Sequence, residues 1–125
     1  MPVKDVLDKF WQKRSGPVVL ATVSLEGVPN AAYCEAVNVY GDDKIVIADN
    51  GFEYTRLNIL GGSHGAILFS TDDGKSYQVK GPLDYQTEGP IYDDMMKWLY
   101  PSLAGKAAIA LTVEEIHTGS SKLFG

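Results

Sequence analysis

The stretch that decides the fold runs from Ile45 to Ile59, IVIADNGFEYTRLNI. Lys44 and the four apolar or small residues after it read as a short strand. A run this apolar predicts burial on both faces. Asp49-Asn50-Gly51 breaks the strand, a short helix is predicted over 53–60, and Gly61-Gly62 stops it. A helix start exposes free N–H groups and a partial positive charge, so this strand–turn–helix unit is a candidate anion site. Thr55 offers it a hydroxyl and Arg56 a planar donor fork. A capped connecting helix with an exposed arginine is the competing reading of the same residues.

The rest of the chain reads as similar short elements. Val3, Val6, Leu7 and Phe10 recur at helical spacing over 3–14, and Ser15-Gly16-Pro17 ends that helix. A strand is predicted over 17–25, with Val19, Ala21, Val23 and Leu25 on one face and Thr22 and Ser24 on the other. Further strands are expected over 30–39, 44–48, 65–71 and 75–86, the last two joined by the turn Asp72-Asp73-Gly74. Pro90 opens a helix that runs to about Tyr100, with Asp93 and Asp94 suited to its first turn. A final strand covers 107–116. The order is helix, three strands, helix, two strands, helix, strand. Short links between strands make the sheet mainly antiparallel. Six strands with three short helices predict a small barrel with helical connections.

Composition narrows the function. A chain of 125 residues is one domain, 1–125, and its 45% apolar and 22% charged residues place it with folded rather than disordered proteins. The net charge of −5 is spread evenly, with no basic tail or stripe. That argues against nucleic-acid binding, which needs a basic footprint. No apolar run approaches the ~18 residues of a membrane span, and the acidic, amphipathic N-terminus does not read as a signal peptide. One cysteine, Cys34, excludes an internal disulfide and a cysteine zinc cage, and it suits a reducing cytoplasm.

Other chemistry-bearing residues have plain readings. Cys34 reads as a small buried apolar residue. His64 and His117 belong to no metal-ligand string. There is no nucleophile elbow, and Gly61-Gly62 lacks the Lys-Ser/Thr of a phosphate loop. Trp11, Trp98 and Tyr100 lie at helix ends, where core or interface contacts account for them.

In order and spacing, four strings resemble the FMN-binding split-barrel, or pyridoxamine 5'-phosphate oxidase-like, family. They are VVLATVSLEGVPNAA, KIVIADNGFEYTRLNI, YQVKGPLDYQTEGPIYDDM and KAAIALTVEEI. The nearest resemblance is to its small single-domain bacterial FMN-binding proteins. It implies a mainly β fold, a six-stranded antiparallel split barrel of the FMN-binding type. It also implies a homodimer with FMN at the subunit interface. Carried over by position, Thr55 and Asn58 match the family's phosphate-binding threonine and asparagine, and Tyr54 stands where a lysine is expected. Arg56, next to Thr55, could compensate. Asp49, Asn50 and Gly51 match the loop beside the flavin ring, and Ala48 ends the strand that lines it. Glu35, Ala36 and Val37 match the strand beneath the ring, and Trp98 falls where the chain approaches the partner subunit's flavin.

The sequence therefore reads as a cytoplasmic FMN-binding flavoprotein with a redox role, a small flavin oxidoreductase or an electron carrier. Its negative surface would suit a basic redox partner protein. True pyridoxamine 5'-phosphate oxidase activity is disfavoured, because no arginine follows Arg56 to hold a substrate phosphate. The alternatives are haem or a deazaflavin in the same groove, or a non-redox small β-barrel binding module.

Overall fold

The computed structural model describes residues 2–125. Met1, the first residue of the single domain read from the sequence, lies outside the described residues. Helix α1 (Val3–Trp11) leads into strands β1 (Arg14–Val23), β2 (Pro29–Cys34), β3 (Val37–Tyr40) and β4 (Lys44–Asp49). Helix α2 (Tyr54–Leu60) precedes β5 (His64–Thr71) and β6 (Ser76–Gln86). Helix α3 (Pro90–Trp98) precedes β7 (Ala107–Thr112), β8 (Glu115–Thr118) and β9 (Ser121–Phe124).

The strands form one curled sheet in the order β2-β1-β5-β6-β7-β4-β3, and β8 and β9 extend it from β6. All of these pairings are antiparallel. β6 is the strand on which the sheet turns. Its first part pairs with β5 and its last residues, from Leu83, pair with β7. Gly81 sits at the changeover, where a Cβ would overlap the Thr112 carbonyl. Only glycine lets the two backbones approach this closely. The two ends of the strand order, β2 and β3, are consecutive in the chain and joined only by Glu35-Ala36. The barrel is thus split between β2 and β3, and the Ala36 carbonyl accepts the Ala48 N–H at 2.9 Å.

The core lies inside this curl. Leu20, Ile45, Ile47, Ile67, Ile109 and Leu111 are fully buried there, each contributing ~1.5–3 kcal/mol of apolar burial. α1 closes one end, with Phe10 stacked on Tyr77 at 4.5 Å and Trp11 edge-on to Phe69 at 5.2 Å. On the outside, Met95 of α3 packs over Val46, Ala48, Ala108 and Ala110. β4 is therefore buried on both faces, as its apolar run predicts.

The observed elements differ from the sequence expectations in four places. The first helix stops at Trp11, because β1 already pairs with β5 from Arg14. In β1 the buried face carries Val18, Leu20 and Thr22, while Val23 and Leu25 are exposed. Both faces of this strand are apolar, so alternation alone does not choose between them. The expected strand 30–39 is broken at Glu35-Ala36, and 107–116 is broken at Val113-Glu114, beside Gly81. With the unforeseen β9, the six expected strands become nine. Among the described residues no helix is long and apolar enough to cross a membrane.

Candidate functional site

β4 ends at Asp49, whose side chain is fully buried, at 0% exposure. Its Oδ1 accepts the Gly51 and Phe52 N–H groups at 2.8 and 2.7 Å, an Asx turn that folds the chain back on itself. Its Oδ2 accepts the Tyr85 hydroxyl at 2.5 Å. A second loop is tied to this one. The Asp49 carbonyl accepts the Lys106 N–H at 2.8 Å, and Asn50 Oδ1 accepts the Gly105 N–H at 2.9 Å. Tyr92 donates its hydroxyl to the Gly105 carbonyl at 2.9 Å. Gly105 has φ +58°, and a Cβ there would press on Leu99 and Met96. These bonds tie the loop that carries Leu103 to the loop that follows β4.

Between these loops and the β2–β3 break lies a groove of about 350 Å³, within the range of cofactor clefts. Ala36 and Ala48 line it, with Glu35, Asn50 and Gly51 at its sides. Tyr33, Cys34, Phe52 and Leu103 complete it. Gly51 has φ +148°, and a Cβ there would meet nothing within 4 Å, so the space before it is open. A smaller cavity of about 180 Å³ adjoins through Glu35 and Ala36 and reaches Val37, Trp98 and Tyr100.

The structure thus sorts the twelve candidate residues. Glu35, Ala36, Ala48, Asn50 and Gly51 come together in one groove, and Val37 and Trp98 line its annex. Asp49 does not reach the groove surface and instead shapes the loop from behind. The α2 residues lie apart from the groove lining. Thr55 is 3% exposed, and its Oγ1 accepts the Asn30 amide at 2.9 Å. The Asn58 amide donates to Thr22 Oγ1 at 3.0 Å. Both side chains are turned inward, bracing α2 on the sheet. Tyr54 points to solvent, and Glu53 stands at the helix start with no capping bond. Among the described residues Arg56 has no ion pair or side-chain hydrogen bond. Its charge lies near enough to Tyr85 to act on that phenol.

Burial pushes the Tyr85 hydroxyl up to about 12, and the hydrogen bond to Asp49 adds to the shift. Burial likewise pushes the Cys34 thiol up to about 12, with Asp49 contributing. Cys34 is therefore a protonated, unreactive wall of the groove at neutral pH.

Tyr33, Phe52, Leu103 and Tyr85 escaped the sequence reading. Tyr33 and Phe52 flank residues that it did single out. Leu103 and Tyr85 are distant in sequence: the β4–β7–β6 pairing brings Tyr85 to Asp49, and the Asn50–Gly105 bond ties the loop of Leu103 to the groove.

Comparison with known proteins gives the family and the fold. The family model described as pyridoxamine 5'-phosphate oxidase matches residues 3–119. An uncharacterized protein of Methanocaldococcus jannaschii is 35% identical over 105 residues, covering 80% of this chain and 70% of that protein. The crystal structure of HupZ from Group A Streptococcus is similar at a TM-score of 0.78 and 25% identity, over 98% of this chain and 95% of that one. An FMN-binding protein from Syntrophomonas wolfei is similar at a TM-score of 0.70 and 20% identity, over 96% of this chain and 85% of that one. The chain belongs to the pyridoxamine 5'-phosphate oxidase family and has its split-barrel fold.

Proposed function

We propose that this protein is an FMN-binding flavoprotein that holds the flavin ring in the groove at the β2–β3 break. The groove itself carries the reading. Two alanines line it, and an open Gly51 beside Asn50 allows close backbone approach, which suits a flat, largely apolar ring. Carbonyls of the 50–52 loop, whose Gly51 and Phe52 N–H groups are held by Asp49, would accept from the polar edge of the ring. Arg56 is the candidate for the phosphate, since among the described residues its donors have no partner, while the Thr55 and Asn58 side chains are engaged. The bound cofactor would supply the electron chemistry, and the chain binds, orients and shields it. The named binding property of the Syntrophomonas wolfei protein supports the reading. The lining carries no histidine, which favours a flavin over an imidazole-ligated haem.

The same reading gives the second copy a place. Tyr33, Val19 and Leu68 stand in register across β2, β1 and β5, followed by Ala31, Ala21 and Ala66. This is the outward face of β1, and Tyr33, 78% exposed, joins it to the groove. A homodimer through this face would cover the apolar surface and close the open side of the groove together. Absorbance and fluorescence during an FMN titration test the binding. Saturable quenching supports it, and a flat response rejects it.

A further inference from the structure

We infer that Asp49 sets the reduction potential of the bound flavin as a fixed, buried negative charge behind the groove, with Tyr85 as the donor that moderates it; this rests on the flavin reading above. Asp49 is fully buried, and three donors converge on its two oxygens: the N–H groups of Gly51 and Phe52 and the hydroxyl of Tyr85. That is the pattern of an ionised carboxylate, which accepts and does not donate. Among the described residues no lysine, arginine or histidine lies within ion-pair distance of it. The charge is therefore balanced by dipoles, and Arg56, whose charge acts on Tyr85, makes no ion pair with it. It sits between Ala48 and Asn50, which both line the groove, and its field reaches Cys34 on the same wall.

A turn alone does not need this charge. An asparagine side chain makes the same Asx turn. What the carboxylate adds is a negative potential in a place shielded from water. Uptake of two electrons and one proton leaves the reduced ring one negative charge richer than the oxidised ring. Asp49 opposes that added charge and so favours the oxidised form. A unit charge ~10 Å away at an effective dielectric of ~20 changes such an equilibrium roughly tenfold.

The test measures the midpoint potential of the FMN-loaded full chain at pH 8, using dithionite and a reference dye, together with the affinity for oxidised FMN. Asp49→Asn keeps Oδ1 as the acceptor for the turn and can donate its amide to Tyr85. It should shift the reduced-to-oxidised affinity ratio roughly tenfold toward the reduced form, about 30 mV upward for a two-electron couple. Tyr85→Phe keeps the charge and removes its donor, so its midpoint should move the other way, by less. A purely structural role would weaken both oxidation states equally and leave both midpoints in place, which overturns the inference while the flavin reading stands. If Asp49→Asn does not fold, an unmoved midpoint in Tyr85→Phe overturns it alone. Failure of the wild-type chain to take up FMN overturns the flavin reading and this inference with it.

Discussion

The amide of Asn30 donates to the hydroxyl of Thr55 at 2.9 Å and so ties α2 to the inward face of β2. Thr55 is buried and Asn30 is half-buried, so the bond is shielded from water. Thr55→Ala would leave the amide unpaired at a cost of about 1–2 kcal/mol. Urea unfolding should show a lower midpoint with an unchanged slope. Thr55→Ser should recover most of the loss.

Arg56 makes the complementary prediction. If its guanidinium holds the cofactor phosphate, Arg56→Ala should weaken FMN by about tenfold or more, the worth of a charge-assisted hydrogen bond. Riboflavin, which lacks the phosphate, should bind as before. Thr55→Ala should leave the ratio of the two affinities unchanged. Equal losses of FMN and riboflavin in Arg56→Ala would place the phosphate elsewhere.

The strand–turn–helix unit was legible because its signals are local. An apolar run, Asp-Asn-Gly and a short helix follow one another within 15 residues, and the structure keeps them in that order. The face of β1 was not legible, since Val18 and Leu20 compete there with Val19, Ala21 and Val23. Packing across the sheet decides it, and sequence alternation cannot report that. The inward turn of Thr55 and Asn58 was hidden for a similar reason: their partners, Asn30 and Thr22, lie on other strands. The break at Glu35-Ala36 has no glycine or proline to announce it. It follows from the two ends of the sheet meeting at one point of the chain.

Stability should fall at alkaline pH. Burial raises the Cys34 thiol from 9.0 and the Tyr85 hydroxyl from 10.0, each to about 12. Both contributions are complete below the unfolded-state values. Above those values the unfolded chain releases protons that the folded chain keeps, so stability declines from about pH 9 toward pH 12. The urea midpoint should drop between pH 8 and pH 10.5, and Cys34→Ala and Tyr85→Phe should each flatten the decline. In native protein at pH 8, Cys34 should resist thiol reagents and become reactive on unfolding.

The outward face of β1 predicts the assembly state. Ala21 lies at its centre, between Ala31 and Ala66. Ala21→Glu would place a charge in the proposed dimer contact without touching the core. Light scattering should show the mass of two chains for the wild type and one for the variant, with an unchanged circular dichroism spectrum and weaker FMN binding. A wild-type monomer with FMN bound would contradict the dimer.

The central claim is that the groove between the β2–β3 break and the 50–52 loop holds FMN. Titrating the purified wild-type chain with FMN, while recording flavin fluorescence and the visible absorption bands, tests it most directly. The account predicts saturable quenching with one FMN per chain and shifted flavin bands. Unquenched fluorescence at every ratio, with the bands of free FMN, would contradict it.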